Sequence, residues 1–372
     1  MDYSLANSSL ARKTSIEVGL VSSFLLYILF AMAVIQNAVV GYAGLASIFL
    51  VWVGYSVLQR DGVPVIPRVL LILALLFTVV ISVDLLFWPG AYDSKDIVGL
   101  YLFYIIIPSI YVSLNKSFDN VGAYTDKAIA IFFFIVSAGV VIDIVISGFS
   151  VYRSTIFGFN KNAVAFFFEV LYCYLLFESR DRSGMWTATI MSVGMVTLML
   201  IFSKTSIAFG LVFTMGYVFP QLFLPALFGL GVVGGVLTFT YDRASLTVLG
   251  TAVDRALLWF DAIDKITHSW TRFLFGYGPG TFVSTVSQFS LAGKTAIHNY
   301  FLQIAHGFGA VMLAVILGFF YWIYRRFGVI RSGAAAAFWI FNMHSFFDVG
   351  WVTGQGFLAS LIVGLLLTRR ES

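Results

Sequence analysis

The sequence predicts an all-α polytopic membrane protein with about twelve transmembrane helices, and three observations support this. First, 60% of the 372 residues are hydrophobic and only 11% are charged, whereas soluble domains carry about 25% charged residues. Second, apolar runs of near-spanning length recur along the whole chain. Third, only one long hydrophilic segment, residues 241–298, interrupts these runs.

Twelve apolar runs are candidate spans, because a spanning helix needs about 20 apolar residues. Nine fall within residues 16–240 and three within residues 299–367 of a single membrane domain, residues 1–372. They are 16–36, 41–58, 69–88, 97–114, 128–146, 162–178, 186–203, 205–219, 222–240, 299–323, 334–348 and 355–367. A turn near Ser203 and Lys204 is expected, since one helix over 186–219 would measure about 51 Å against a hydrocarbon core of ~30 Å.

The positions of Lys and Arg predict that both termini lie in the cytoplasm, because cytoplasmic loops hold the excess of these residues. In this orientation 13 of them are cytoplasmic and four lie in short external loops. The cytoplasmic ones are Arg12, Lys13, Arg60, Arg68, Lys116, Lys127, Arg180, Arg182, Arg325, Arg326, Arg331, Arg369 and Arg370. The external ones are Lys95, Arg153, Lys161 and Lys204, and segment 241–298 becomes a long external loop between spans nine and ten.

The external loop contains a predicted amphipathic helix between Thr251 and Thr271, which we expect to lie on the membrane surface. Apolar residues recur there at a spacing of three to four, which is typical of one helical face. They are Ala252, Ala256, Trp259, Ile263, Ile266 and Trp270.

A glycine-rich turn follows this helix, with the sequence Gly276-Tyr277-Gly278-Pro279-Gly280. It follows no predicted strand, so it is not a nucleotide-binding fingerprint. Two interpretations stay open. It is either a plain surface turn, or a turn in which Gly278 and Gly280 let backbone N–H groups approach an anionic ligand.

His298 and Asn299 stand where the external loop enters the tenth span. Asn299 is a typical N-cap residue, and the positive end of the helix dipole disfavours a charged imidazolium at His298. His298 is therefore a candidate proton acceptor near neutral pH, and a purely structural histidine is the alternative.

Ionisable residues inside the predicted spans are functional candidates, because charge is costly in a membrane. They are Asp84, Asp143, Glu169, His344 and Asp348. His344 and Asp348 are four residues apart, so a helix would place them on one face, where the carboxylate would orient the imidazole. The alternative for each acid is a structural hydrogen bond between helices.

The charged residues also restrict the partners. Arg153, Lys161, Lys204 and Arg255 make the external end cationic on an apolar body, which suits a substrate with a lipid tail and an anionic head. A formal net charge of only +4, without a basic stripe, argues against a nucleic-acid partner. The single cysteine, Cys173, excludes an intrachain disulfide, and the loops contain no metal-ligand motif.

Residues 245–325 resemble the O-antigen ligase and Wzy-type polymerase family of bacterial polysaccharide assembly. The resemblance consists of the long external loop, the Gly-x-Gly-x-Gly turn, and His-Asn-Tyr-Phe-Leu-Gln at 298–303 opening a span, with Gly307 and Gly309 soon after. Weaker similarities are the segments 158–162 and 203–206. In the second of these, Lys204 stands where the family usually has Arg, and Lys lacks the bidentate fork of Arg.

The resemblance implies a metal-independent, inverting glycosyltransferase, without a cofactor, at the outer face of the bacterial inner membrane. The donor would be a glycan on undecaprenyl diphosphate, and the acceptor a glycan or a lipid. His298 would be the general base, and Arg153, Arg255 and Lys204 would bind the diphosphate. Supporting positions would be Asn299, Gly278, Gly280, His344 and Asp348.

The motifs do not separate a ligase from a polymerase. A polytopic transporter of a lipid-linked or sugar substrate is the alternative from another class. Transporters usually place their sites near the midplane, on broken helices in two related halves, and the sequence shows no such halves.

The orientation is testable with topology reporters. We expect a fusion after Arg326 to report the cytoplasm and a cysteine label at Gly280 to react from outside, because inversion would reverse the bias of 13 to 4. The opposite result at both positions would contradict the orientation.

Overall fold

The computed structural model describes residues 66–87, 94–117, 121–147, 155–156, 159–230, 250–286, 291, 293–295, 297–347 and 356–368. The first two predicted spans, 16–36 and 41–58, lie outside these residues. So do the second half of the ninth predicted span and the two predicted site residues Arg153 and Asp348.

The described part of the chain is dominated by helices, as predicted. They are α1 (Arg68–Phe87), α2 (Ser94–Tyr101), α3 (Ile107–Ser117), α4 (Val121–Ile146), α5 (Lys161–Glu178), α6 (Gly184–Ile201), α7 (Lys204–Val218), α8 (Pro220–Leu230), α9 (Gly250–Thr267), α10 (Trp270–Phe275), α11 (Tyr300–Phe327), α12 (Gly333–His344) and α13 (Gly356–Thr368). A π-helical turn, Leu102–Ile106, joins α2 to α3.

Within the described ranges, five helical segments are long and apolar enough to cross a membrane. They are α1, the continuous unit Asp96–Lys116, α4, α6 and α11. The prediction of a helical membrane protein is therefore confirmed. The expected turn at 203–204 is also present, because α6 ends at Ile201 and Phe202 has a left-handed backbone with φ of 59°.

A two-stranded hairpin interrupts the helical pattern before α5. Its strands are β1 (Thr155–Ile156) and β2 (Phe159–Asn160), which pair antiparallel with Thr155 opposite Asn160. Asn160 also caps α5, since its Oδ1 accepts a hydrogen bond from the backbone N–H of Asn162 at 2.9 Å. The hairpin is a short exception within a predominantly helical chain, and it sets where α5 begins.

Helix α5 forms the centre of the bundle and packs antiparallel to α12. It is buried on nearly all sides from Ala165 to Phe177, as expected of a helix that is apolar all round. At one end, Gly333 approaches α5 so closely that a Cβ atom there would lie 2.3 Å from the carbonyl oxygen of Tyr174. At the other end, His344 stacks on Phe166 with ring centroids 4.1 Å apart.

The predicted surface helix is divided into α9 and α10, because α9 ends at Thr267 and Ser269 caps α10. The side chains that α9 buries include Leu258, Ala262 and Ile266. Of the predicted apolar face, Ile263 is 43% exposed and Trp270 is 80% exposed. The face used for packing is rotated towards Leu258 and Ala262, which contact the loop that follows α10.

Helix α11 is kinked at Gly309, and the glycine-rich turn packs against this kink. Gly309 has φ of 78° and ψ of 179°, which interrupts the helical ladder. The carbonyl groups of His306 and Gly307 accept hydrogen bonds from the N–H groups of Tyr277 and Gly278, at 2.8 and 2.9 Å. These two N–H groups are therefore engaged by α11, and the anion-binding interpretation of the turn does not hold for them.

Replacing Gly309 by Ala should separate α10 from α11. A Cβ atom at Gly309 would lie 2.1 Å from the carbonyl oxygen of Leu274, and φ of 78° is itself unfavourable for Ala. We expect Gly309→Ala to lower the free energy of unfolding by about 2 kcal/mol or more, measured by thermal or denaturant unfolding in detergent. Gly318→Ala on the same helix is the control, because no heavy atom lies within 4 Å of its Cβ position. Equal stability of the two variants would contradict the packing argument.

Candidate functional site

Candidate residues from distant segments meet at one end of the helical bundle. The N–H of Tyr300, at the start of α11, donates to the carbonyl of Ser345, just after α12, at 2.9 Å. His344 at the end of α12 is close to Phe209, in the first half of α7, with ring centroids 6.2 Å apart. The starts of α5, α7 and α11 and the end of α12 thus lie together, and we call this region the His298 end.

His298 is held in an unusual backbone conformation between two anchored residues. Its φ is 54°, and only Phe202 shares a positive φ among the other non-glycine residues that the structure describes. Before it, the carbonyl of Ile297 accepts a hydrogen bond from Trp259 Nε1 at 3.1 Å. After it, Asn299 caps α11, as predicted, by accepting from the N–H of Leu302 at 3.1 Å. A left-handed non-glycine residue costs of order 1–2 kcal/mol, and such strain is concentrated at functional sites.

Trp259 attaches α9 to the His298 end. Besides its bond to Ile297, its ring lies 5.9 Å from Phe347, and Phe347 lies 6.0 Å from Phe209. Arg255 is four residues before Trp259 on α9, so it lies one turn away on the same side. Helix α9 therefore carries Arg255 one turn from the residue that contacts the His298 end.

Two lysines lie at neighbouring helix starts. Lys161 is the first residue of α5 and Lys204 the first residue of α7. The ammonium of Lys161 lies 5.9 Å from the ring centroid of Phe202, the left-handed residue that precedes α7. Helix N-termini carry a partial positive charge, so both lysines add to a field that already favours anions.

His344 is paired with Glu169 in the described structure. Nδ1 of His344 lies 2.5 Å from Oε1 of Glu169, and both side chains are buried. Sequence analysis treated Glu169 singly and expected Asp348 as the partner, on the assumption that the helix continues. In the described structure α12 ends at His344, and Asp348 lies outside the described residues. The carboxylate that orients His344 comes from α5.

Three further polar features lie in the helices. The contact between Tyr104 and Tyr300 was not predicted, whereas Asp84 and Asp143 were predicted candidates. The hydroxyls of Tyr104 and Tyr300 lie 2.8 Å apart and connect the π-helical turn to the start of α11. Asp84 is fully buried in α1, and neither of its carboxylate oxygens makes a hydrogen bond to another residue that the structure describes. Asp143, a predicted candidate, lies near the end of α4 and is half-buried.

Asp261 of α9 fixes the loop that follows the glycine-rich turn. Its Oδ1 accepts from the hydroxyl of Thr285 at 2.6 Å, and its Oδ2 accepts from the N–H of Thr285 at 3.1 Å and from Lys265 at 3.0 Å. Burial alone would raise the pKa of Asp261, but the hydrogen bonds from Thr285 and Lys265 outweigh it and lower the pKa.

Comparison with known proteins gives no family. The chain matches no family model, and no curated protein matches it. Among the described residues, no group of three or more His, Cys, Asp and Glu side chains is arranged to hold a metal ion.

The Asp261 contacts predict a defined response to acid. Because its pKa is lowered on folding, the stabilisation is present above the ordinary value of 3.8 and is lost as the pH falls through the lowered value. We expect the amide protection factors of residues 281–286, which correct the exchange rate for its intrinsic dependence on pH, to fall below about pH 4 in the wild type. Asp261→Asn should exchange faster already at pH 7, by an amount equivalent to about 1 kcal/mol, and Asp264→Asn serves as the control on the exposed side of α9. Unchanged exchange in Asp261→Asn would contradict this role.

Proposed function

We propose that this protein is a glycosyltransferase of the O-antigen ligase and Wzy-type polymerase family. It would act on undecaprenyl-diphosphate-linked glycans, in surface polysaccharide or exopolysaccharide assembly, without a metal or cofactor. One observation carries the proposal. His298, the first residue of the motif that resembles this family, is held with a left-handed backbone at the end of the bundle where the cationic helix starts meet.

The arrangement favours His298 as the general base. In the proposed reaction the imidazole accepts the proton of the acceptor hydroxyl while that oxygen attacks the anomeric carbon of the donor. The new carbon–oxygen bond forms as the bond between the anomeric carbon and the diphosphate breaks, and undecaprenyl diphosphate leaves with the bonding electrons. A single displacement of this kind inverts the anomeric carbon. His298 is suited to it because the anchors at Ile297 and Asn299 fix its position.

The charge on the leaving diphosphate would be stabilised by the helix starts and by side chains. The N-termini of α5, α7 and α11 lie at the His298 end, and the positive ends of their helix dipoles favour an anion there. Lys204, Lys161 and Arg255 add formal positive charge there. We assign Arg153 the same role from the sequence, and it lies outside the described residues.

We further propose twelve spans with both termini in the cytoplasm of a bacterium and the His298 end at the outer face of the inner membrane. The opposite end, which we call the basic end, supports this orientation. It carries Arg180, whose Nη1 donates to the carbonyl of Ile330 at 3.0 Å. It also carries Arg326, which lies 5.7 Å from the ring centroid of Trp322. An excess of Arg and Lys, rather than their contact with aromatic rings, is what is typical of the cytoplasmic side.

A deletion strain distinguishes the possible activities. Long polymer that stays on undecaprenyl diphosphate indicates a missing ligase, whereas single repeat units indicate a missing polymerase. For a transporter of lipid-linked or sugar substrate, the donor would accumulate on the cytoplasmic side. Normal glycans in the deletion strain would overturn the proposal in all three forms.

Substitution of His298 tests the proposed base directly. General bases contribute about 10²- to 10⁴-fold, so we expect His298→Ala to reduce glycan transfer by at least a hundredfold in the complemented deletion strain and with purified protein. The residual rate of the purified variant should rise with pH above neutrality more steeply than that of the wild type, because hydroxide or the ionised acceptor replaces the base.

The matched control is His268→Ala. His268 is exposed on the turn after α9, so this variant should transfer glycan at the wild-type rate. Full activity of His298→Ala at matched expression would show that His298 is structural, and the Glu169–His344 pair would become the next candidate for the base.

A further inference from the structure

A groove of about 900 Å³ lies between α1, α11 and the end of α13, at the basic end. Its walls are mostly aliphatic, and arginines from two helices line it. The lining residues used here are Arg68, Ile72, Leu76, Val311, Gly318 and Arg326.

The groove is open to the surroundings of the bundle. Ile72 is 59% exposed and Leu76 is 42% exposed, although both are large aliphatic residues. Gly318 of α11 lies on the same surface, and no heavy atom approaches within 4 Å of its Cβ position. The missing side chain widens the groove at a point where most residues would narrow it.

The two arginines lie at one end of the groove. Arg68 is the first residue of α1, and Arg326 precedes the last residue of α11. From Arg68 to Leu76, α1 rises about 12 Å, which is close to the ~15 Å hydrocarbon depth of one leaflet. The groove therefore combines a cationic end with an apolar path of the length of one acyl chain.

We propose that this groove binds one anionic glycerophospholipid from the leaflet at the basic end. Its phosphate would lie between Arg68 and Arg326, since guanidinium groups bind phosphate oxygens through forked hydrogen bonds. One acyl chain would lie along Ile72 and Val311 and occupy the space beside Gly318. This site differs from the proposed diphosphate site, because Tyr300 and Arg326 are about 39 Å apart along α11.

The test uses the purified full chain in detergent, with phosphatidylglycerol and phosphatidylcholine of identical acyl chains as probes. Native mass spectrometry should show that the wild type retains one phosphatidylglycerol molecule at least about tenfold better than phosphatidylcholine. Arg68→Gln combined with Arg326→Gln should abolish this preference. Gly318→Leu should reduce retention of both lipids, because its side chain fills the groove.

The control variant is Arg182→Gln. Arg182 also lies beside an aromatic ring, 5.8 Å from that of Trp186, but it does not line the groove. It should retain phosphatidylglycerol as the wild type does, and thermal unfolding checks that every variant is folded. Equal retention of the two lipids by the wild type would overturn the proposal. So would wild-type retention by the double Arg variant or by Gly318→Leu, or an equal loss in Arg182→Gln.

Discussion

The fold depends on hydrogen-bond partners for the backbone N–H and C=O groups at the start and at the kink of a long apolar helix. A membrane supplies no water that could bind these groups instead. Helix α11 illustrates both cases. At its start, the N–H of Tyr300 donates to the carbonyl of Ser345 and Asn299 caps the first turn. At its kink, carbonyl groups freed near Gly309 accept N–H groups from the glycine-rich turn. These contacts attach α9 and α10 to the bundle and thereby position His298.

Much of the helical pattern was predictable, because it follows from the length and apolar character of each segment. The turn before Lys204 was predictable for a simple geometric reason, since a single helix would be too long for the membrane. The kink at Gly309 and the orientation of α9 were not predictable from the sequence. Both depend on where a segment that is distant in the sequence packs. Helical spacing alone does not show that α9 buries Ala262 and leaves Ile263 exposed.

The candidate site was predictable where its chemistry is local. Asn299 as a cap and His298 beside it follow from neighbouring residues at the start of a helix. The partner of His344 was not predictable, because Glu169 is 175 residues away in the sequence. The left-handed backbone of His298 was also beyond sequence reasoning, since glycine is the residue that normally signals this conformation.

The Glu169–His344 pair has a consequence for biogenesis. The 175 residues between the two partners take about 9–35 s to synthesise at ~5–20 residues per second. During that interval α5 has already left the ribosome with a polar side chain at its buried centre, while α12 does not yet exist. Until α12 is synthesised, Glu169 lacks the imidazole with which it pairs in the folded bundle. Membrane integration of this bundle then depends on the order of synthesis as well as on the hydrophobicity of each helix.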